Sequence, residues 1–205
     1  MARTSARLSI AALLAAAVAA IASVTAAPAH AGLGITCSVP NAQVFAPWGD
    51  ASFYAEVPDG GFEAGAAGWT LSGGAKLVSG NESYSVRAPG DEWSLSLPAG
   101  SSATSPPMCI GALSGHMRLF TSNAGASSSR LRVSVLYGGG LGGLLGLLDA
   151  GSLASGAAWQ PSPFVTMLGG TLPLLTRYVQ FRFTPADATG TWRIDDAYLD
   201  PLMHG

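Results

Sequence analysis

The residues able to do chemistry gather in two short segments far apart in the chain. One is Gly60-Gly61-Phe62-Glu63-Ala64-Gly65, followed by Gly68-Trp69; the other is Trp192-Arg193-Ile194-Asp195-Asp196-Ala197-Tyr198-Leu199. Each sets carboxylates beside a short apolar run, and carboxylates are rarely brought near a core without a cation or hydrogen-bond donors to hold them. The pairing predicts a metal site that joins the two ends of one domain. Without a metal, Glu63 and Asp195 would instead accept backbone N–H groups at strand ends, and Asp196 is expected to act as such an acceptor. A catalytic dyad would need a nucleophile or a base in support. The chain has no Gly-x-Ser-x-Gly elbow, no His-Glu-x-x-His, no phosphate-cradling loop and no second histidine spaced to complete a triad with His116. It reads as non-catalytic, with no catalytic residues.

The elements that must position these groups come after an export signal. Arg3 and Arg7, an apolar stretch from about Leu8 to Val24, and Ala29-His30-Ala31 match a helical, cleaved signal peptide over residues 1–31. An uncleaved anchor is the competing reading, but the run is mostly alanine and ends in the small-x-small pattern that suits cleavage. Residues 32–205 have the length of a single domain with a sizeable core. They hold eight Lys plus Arg, Lys76 being the only lysine, against twelve Asp plus Glu. That balance excludes a nucleic-acid partner, which would call for a basic face. No later stretch is long and apolar enough to span a membrane. The expected location is extracellular or associated with the cell envelope.

Cys37 and Cys109 are the only cysteines. An exported chain meets an oxidising compartment, so one disulfide between them is expected, worth about 4 kcal/mol for so long a loop. A thiol metal pair or a reactive cysteine is the other reading, but neither cysteine has a neighbouring cysteine or an adjacent His.

Helical periodicity is missing after the signal, and period-two alternation recurs between turn residues. Leu131 to Tyr137 alternates cleanly, as do Tyr178 to Thr184, Trp93 to Leu97 and Met117 to Phe120. Shorter strands are expected at Ala75 to Ser79, Tyr84 to Arg87, Phe164 to Leu168 and Trp192 to Leu199. Ser101 to Pro107 reads as an irregular connection. About nine short strands predict an all-β fold, a two-sheet antiparallel β-sandwich. Gly138 to Leu148, almost wholly Gly and Leu, reads as a hairpin extension folded over the core or as an apolar lip that touches a partner.

Taken in order, Gly-Gly-Phe-Glu at 60–63 with Trp69, Gly80-Asn81, Trp159-Gln160-Pro161 and Ile194-Asp195-Asp196 resemble the jelly-roll carbohydrate-binding modules of families four, nine and twenty-two, of the galactose-binding-like fold. The resemblance spans residues 57–201. The segment around Cys37, Ser96 to Gly100 and Pro106 to Cys109 look closer to a group of uncharacterised secreted bacterial proteins. The resemblance implies a structural calcium ion held by the side chains of Glu63 and Asp195 and the backbone carbonyls of Gly61 and Glu82. Calcium takes six to eight oxygens from carboxylate, carbonyl and water together, so the donor types agree. Where the family often has an acidic residue before Gly-Asn, this chain has Ser79. The resemblance also matches a stacking ring to Phe120 and polar partners to Asn123 and Gln180. By alternation, the face opposite the core carries Arg118 and Phe120, then Arg132 and Ser134, then Gln180 and Arg182. Rings and hydroxyl-bonding groups on one face suit a sugar, and three arginines suit a carboxylate-bearing one. A one-residue slip would turn Phe120 into the core instead. Trp69, Trp159 and Trp192 read as packing residues, and Trp48 with Tyr54 as the lining of a rim. The expected function is a secreted binding module for cell-wall or extracellular polysaccharide. The alternative is a cell-envelope structural or protein-interaction domain that keeps the fold without sugar binding.

Overall fold

The computed structural model describes residues 40–110, 115–138, 146–167 and 178–200. The signal segment, Cys37 and most of the Gly/Leu run lie outside the described residues. No helix among them is long and apolar enough to cross a membrane.

The strands are β1 (Ala55–Glu56), β2 (Thr70–Ser72), β3 (Lys76–Ser79), β4 (Trp93–Leu97), β5 (Ser102–Thr104), β6 (Met108–Cys109), β7 (His116–Asn123), β8 (Leu131–Gly138), β9 (Leu147–Leu153), β10 (Gln160–Pro161), β11 (Val165–Thr166), β12 (Tyr178–Pro185) and β13 (Trp192–Leu199). Nine are three residues or longer, matching the number expected from alternation. The first sheet runs β10-β7-β13-β4-β3, with β1 on β13 and β11 on β7; the second runs β2-β5-β12-β8-β9, with β6 on β12. Every pairing is antiparallel. The fold is a two-sheet β-sandwich of jelly-roll type.

Alternation places the core as the sequence predicts. Met117, Leu119, Leu95, Leu97, Trp192 and Ile194 of the first sheet meet Leu131, Val133, Val135, Val179, Phe181 and Phe183 of the second, all buried. Trp69 closes one end, with its ring near those of Phe62 and Phe183. The crossing from β2 to β3 needs glycine at 73, where φ is +63° and a Cβ would lie 2.2 Å from the Gly100 carbonyl oxygen.

Two expectations fail for identifiable reasons. Tyr84 to Arg87 is loop, because the buried Glu82 carboxylate accepts the Tyr84 and Val86 N–H groups that a strand would have given to a neighbour. The connection read over Ser101 to Pro107 contains β5, whose Ser102, Ala103 and Thr104 pair with β2 and whose Ala103 and Thr104 pair with β12. Serine masked that strand, yet Ser101, Ser102 and Ser105 are buried, and Ser105 Oγ accepts the Phe181 N–H at 2.9 Å.

Phe181→Ala should lower stability by about 3–5 kcal/mol through lost transfer energy and a cavity. Tyr178→Ala, on the exposed side of the same strand, should stay within about 0.5 kcal/mol. Urea midpoints compared at equal m-value check both.

Candidate functional site

The segments 60–63 and 192–199 do meet, through backbone. Val57 N–H donates to Ala197 O and Ala197 N–H to Gly60 O, and a Cβ at Gly60 would lie 2.6 Å from Ala197 O. Opposite this seam, the pairing of β13 with β7 shifts register between Asp195 and Tyr198, and Asp196 takes φ +44°. This is a β-bulge. It inserts one residue between the inward-facing Ile194 and Ala197, so two consecutive aspartates fall together instead of on opposite faces.

Both aspartates are fully buried. Asp195 is held by backbone, its oxygens accepting the Glu82 N–H and the Asp196 N–H, each at 2.9 Å. Among the described residues, neither carboxylate oxygen of Asp196 has a hydrogen-bond donor, and neither does the buried Asn81 Oδ1. Burial first, then the Asp196 charge, pushes the Asp195 carboxyl up to about 9 against the pull of its two N–H donors. Burial and the charge of Glu82 push Asp196 up to about 7. The pair titrates as a unit. Asp196 lies under Gly61, where an added Cβ would be 2.9 Å from its Oδ1 and 2.8 Å from Arg87 Nε. Arg87 itself is turned to Asp91, in a two-bond pair of 2.7 and 2.9 Å.

Glu63 is not part of this group. Its Oε1 accepts the Glu92 and Trp93 N–H groups at 2.8 Å, and it lines an open cleft of about 440 Å³ with Glu56, Asp59 and Arg87. Glu82 contributes its N–H to Asp195 and spends its side chain on the 84–86 loop. No three His, Cys, Asp or Glu side chains among the described residues are grouped so as to hold a metal ion. Asp196, which the sequence assigned to backbone N–H groups, is the carboxylate left without a hydrogen-bond donor among the described residues. The missed signal was two adjacent aspartates in an alternating strand, which only a bulge can bury together.

The face expected to bind a ligand is divided. Arg118 and Phe120 stand on β7 in the first sheet, whereas Arg132, Ser134, Gln180 and Arg182 share the outer face of the second. Gln180 Nε2 donates to Ser105 O and Arg182 to Ser102 Oγ, while Arg132 is exposed. Asn123 is buried in a loop closure: its Oδ1 accepts the Gly125 and Thr191 N–H groups and its amide donates to Ala126 O. Phe120 points away from the main core, as the register required, but it is not open. The segment Ala42–Tyr54 covers it with a second small core of Phe45, Tyr54 and Tyr198, and the Phe45 and Phe120 rings stack at 5.6 Å.

Under the same segment, Arg118 Nη1 pairs with Asp50 Oδ2 at 2.9 Å, both residues buried. Tyr54 Oη donates to Asp50 at 2.7 Å and contacts His116 Nε2. Burial opposes the Asp50 charge, but donors from Tyr54, Arg118 and Ser52 outweigh it and lower the carboxyl to about 2. Burial pushes His116 below its ordinary value against the pull of Asp200 and Asp50. Tyr54 thus belongs to a core and not to a rim. One exposed ring lies at the edge of the cover: Tyr84, 48% exposed, stands edge-on to the half-buried Trp48 at 5.0 Å, and its hydroxyl donates to Trp159 O at 3.2 Å. Trp159, read as packing, is only half buried, with the Arg193 guanidinium 5.5 Å from its ring.

No family model and no curated protein matches the chain. Solved structures with similarity include TmCBM61 in complex with β-1,4-galactotriose (18% identity, 70% of this chain and 96% of that chain, TM-score 0.45). Two others are the C-terminal family 22 carbohydrate-binding module of Clostridium thermocellum Xyn10B (17%, 70% and 94%, 0.45) and the CBM22-1 xylan-binding domain of Paenibacillus barcinonensis Xyn10C (12%, 67% and 88%, 0.43). The sandwich assignment stands on the strand pairing itself.

Because folding raises the pKa of both aspartates, the folded state binds more protons than the unfolded one above the ordinary aspartate value of 3.8. Stability from this pair is therefore full below about pH 4 and falls as pH rises through about 7 and towards 9. In chelator-treated protein, the wild-type minus Asp196→Asn difference in thermal midpoint should decline across that window. A pH-independent difference would contradict it.

Proposed function

We propose that the chain is a secreted, non-catalytic binding module for cell-wall or extracellular polysaccharide, and that it binds at the rim of the first sheet's outer face instead of on Phe120. The observation that carries this reading is the open aromatic group of Tyr84, Trp48 and Trp159 beside Arg193 and the exposed Gln160. Such rings stack on the apolar faces of sugars, while guanidinium and amide groups bond the hydroxyls. In polysaccharide pull-downs and on a glycan array, Tyr84→Ala with Trp159→Ala should weaken binding roughly tenfold, about 1.4 kcal/mol. Trp93→Ala, an exposed ring elsewhere, should change little. Folded wild type that binds no glycan, or a double variant that binds equally, would overturn the reading.

The second reading is a cell-envelope structural or protein-interaction domain without sugar binding. The sealing of Phe120 under Phe45 favours it, since a ring already stacked on Phe45 has no free face for a sugar. A protein partner with no glycan binding would be its signature.

The orphaned Asp196 carboxylate supports a structural calcium ion. Asp196 would hold it with Asp195, and the Gly61 and Glu82 carbonyls would supply further oxygens of the type calcium accepts. The ion would neutralise charge that the fold otherwise leaves buried. Saturating Ca²⁺ over EDTA should raise the thermal midpoint by about 5–10 °C in wild type and little in Asp196→Asn. An unmoved wild-type midpoint removes the ion from the account. The Cys37–Cys109 disulfide is what an exported chain with two cysteines calls for; reductant should lower the midpoint of the same melt, and an unmoved midpoint would contradict the bridge.

A further inference from the structure

The segment Ala42–Tyr54 lies on the first sheet without joining it. Ala42 bridges Tyr54, Ala46 N–H donates to Gln43 O, Trp48 and Asp50 N–H to Phe45 O, and Gly49 N–H to Ala46 O, so these backbone bonds all close within the segment. Sheet pairing begins only at Ala55, in β1 against β13. What holds the segment to the sheet is side chains. Phe45 lies on Phe120 and meets Tyr198 edge-on at 5.9 Å. Asp50 reaches down to Arg118, whose guanidinium also sits 4.4 Å from the Phe45 ring. Tyr54 bridges Asp50 to His116. Ala46, Pro47, Gly49 and Ala51 on its upper side are exposed.

We propose that Ala42–Tyr54 is a releasable strap that occupies the outer face of the first sheet, and that its release uncovers a second ligand surface floored by Phe120 and Tyr198 with Arg118 as its cation. The strap then acts as an autoinhibitory contact. It fills with Phe45 the place over Phe120 that a flat apolar ligand face would take, and it neutralises with Asp50 the guanidinium that would meet a ligand carboxylate. A segment tied by the rings of Phe45, Trp48 and Tyr54, the Asp50–Arg118 ion pair and the Tyr54–His116 contact, with no ladder hydrogen bonds to the sheet among the described residues, opens at lower free energy than the strands beneath it. The proposal rests on the reading of this face as a binding surface, with the rim rings as the part accessible while the strap is closed.

Hydrogen exchange on the wild-type protein tests the opening. Amides of Trp48, Gly49, Asp50 and Tyr54 should exchange at least tenfold faster than those of β7 and β13. Equal protection would make the strap an integral layer of the fold and overturn the proposal. A second arm uses Phe45→Ala/Asp50→Asn with 8-anilinonaphthalene-1-sulfonate, an aromatic anion, as the probe. Fluorescence should rise several-fold while thermal unfolding stays cooperative. Unchanged fluorescence in the folded variant would overturn the uncovered surface. If no glycan binds, the carbohydrate reading fails separately, and both arms still decide the strap.

Discussion

The structure depends most on one local constraint, the bulge that buries Asp195 and Asp196 side by side in β13. That strand is the centre of the first sheet, with β7 on one side and β4 on the other, and β1 continues its far end. A break in its register sets where the 57–60 loop can dock, because that loop bonds both backbone groups of Ala197 just past the bulge. The same break returns Ala197 and Leu199 to the core and sends Tyr198 to the opposite face, under the strap. The two cores on either side of the sheet are thus tied to the conformation of one aspartate at φ +44°. Asp tolerates that region better than most side chains. Its carboxylate, however, needs a proton or a cation once it is dry.

Asp196 and Asp50 show how differently charge can be buried. In the bulge, between the inward-facing Ile194 and Ala197, Asp196 has no hydrogen-bond donor among the described residues and its carboxyl is driven up. Under the strap, Asp50 is buried less deeply, and three donors hold it down as a carboxylate. Breaking the Asp50–Arg118 pair from either end would leave an uncompensated buried charge. The strap is therefore specified in one seating only, which side-chain stacking alone would not ensure.

Much of the fold was legible because alternation and turn residues carry it. Leu131 to Tyr137 and Trp192 to Leu199 appear in the sandwich almost to the residue. The site was less legible. Phe120 could be placed on the outer face by period two, but its cover comes from residues some seventy positions away. Of that cover, only Trp48 and Tyr54 were singled out in the sequence, and as the lining of a rim. Arg118 and Arg132 looked like neighbours because their strands are consecutive; consecutive strands of a sandwich can lie in opposite sheets, and these do. Glu63 and Asp195 were read first as side-chain ligands of a calcium ion, with backbone N–H groups as the alternative partners; each accepts two backbone N–H groups. Asp196 was misread because strict alternation was carried through two adjacent aspartates that a bulge brings together.

Protonation of the buried pair, read directly, is the sharpest test of this account. Carboxyl-carbon NMR titration of Asp195 and Asp196, with and without Ca²⁺, would follow each group through pH 3 to 10. The account predicts that in metal-free protein both resonances titrate well above the ordinary aspartate range. It predicts further that Ca²⁺ moves the Asp196 titration down by several units, since the cation replaces the proton. Both aspartates titrating near 4 in metal-free protein would contradict the buried, donor-poor bulge on which the rest is built.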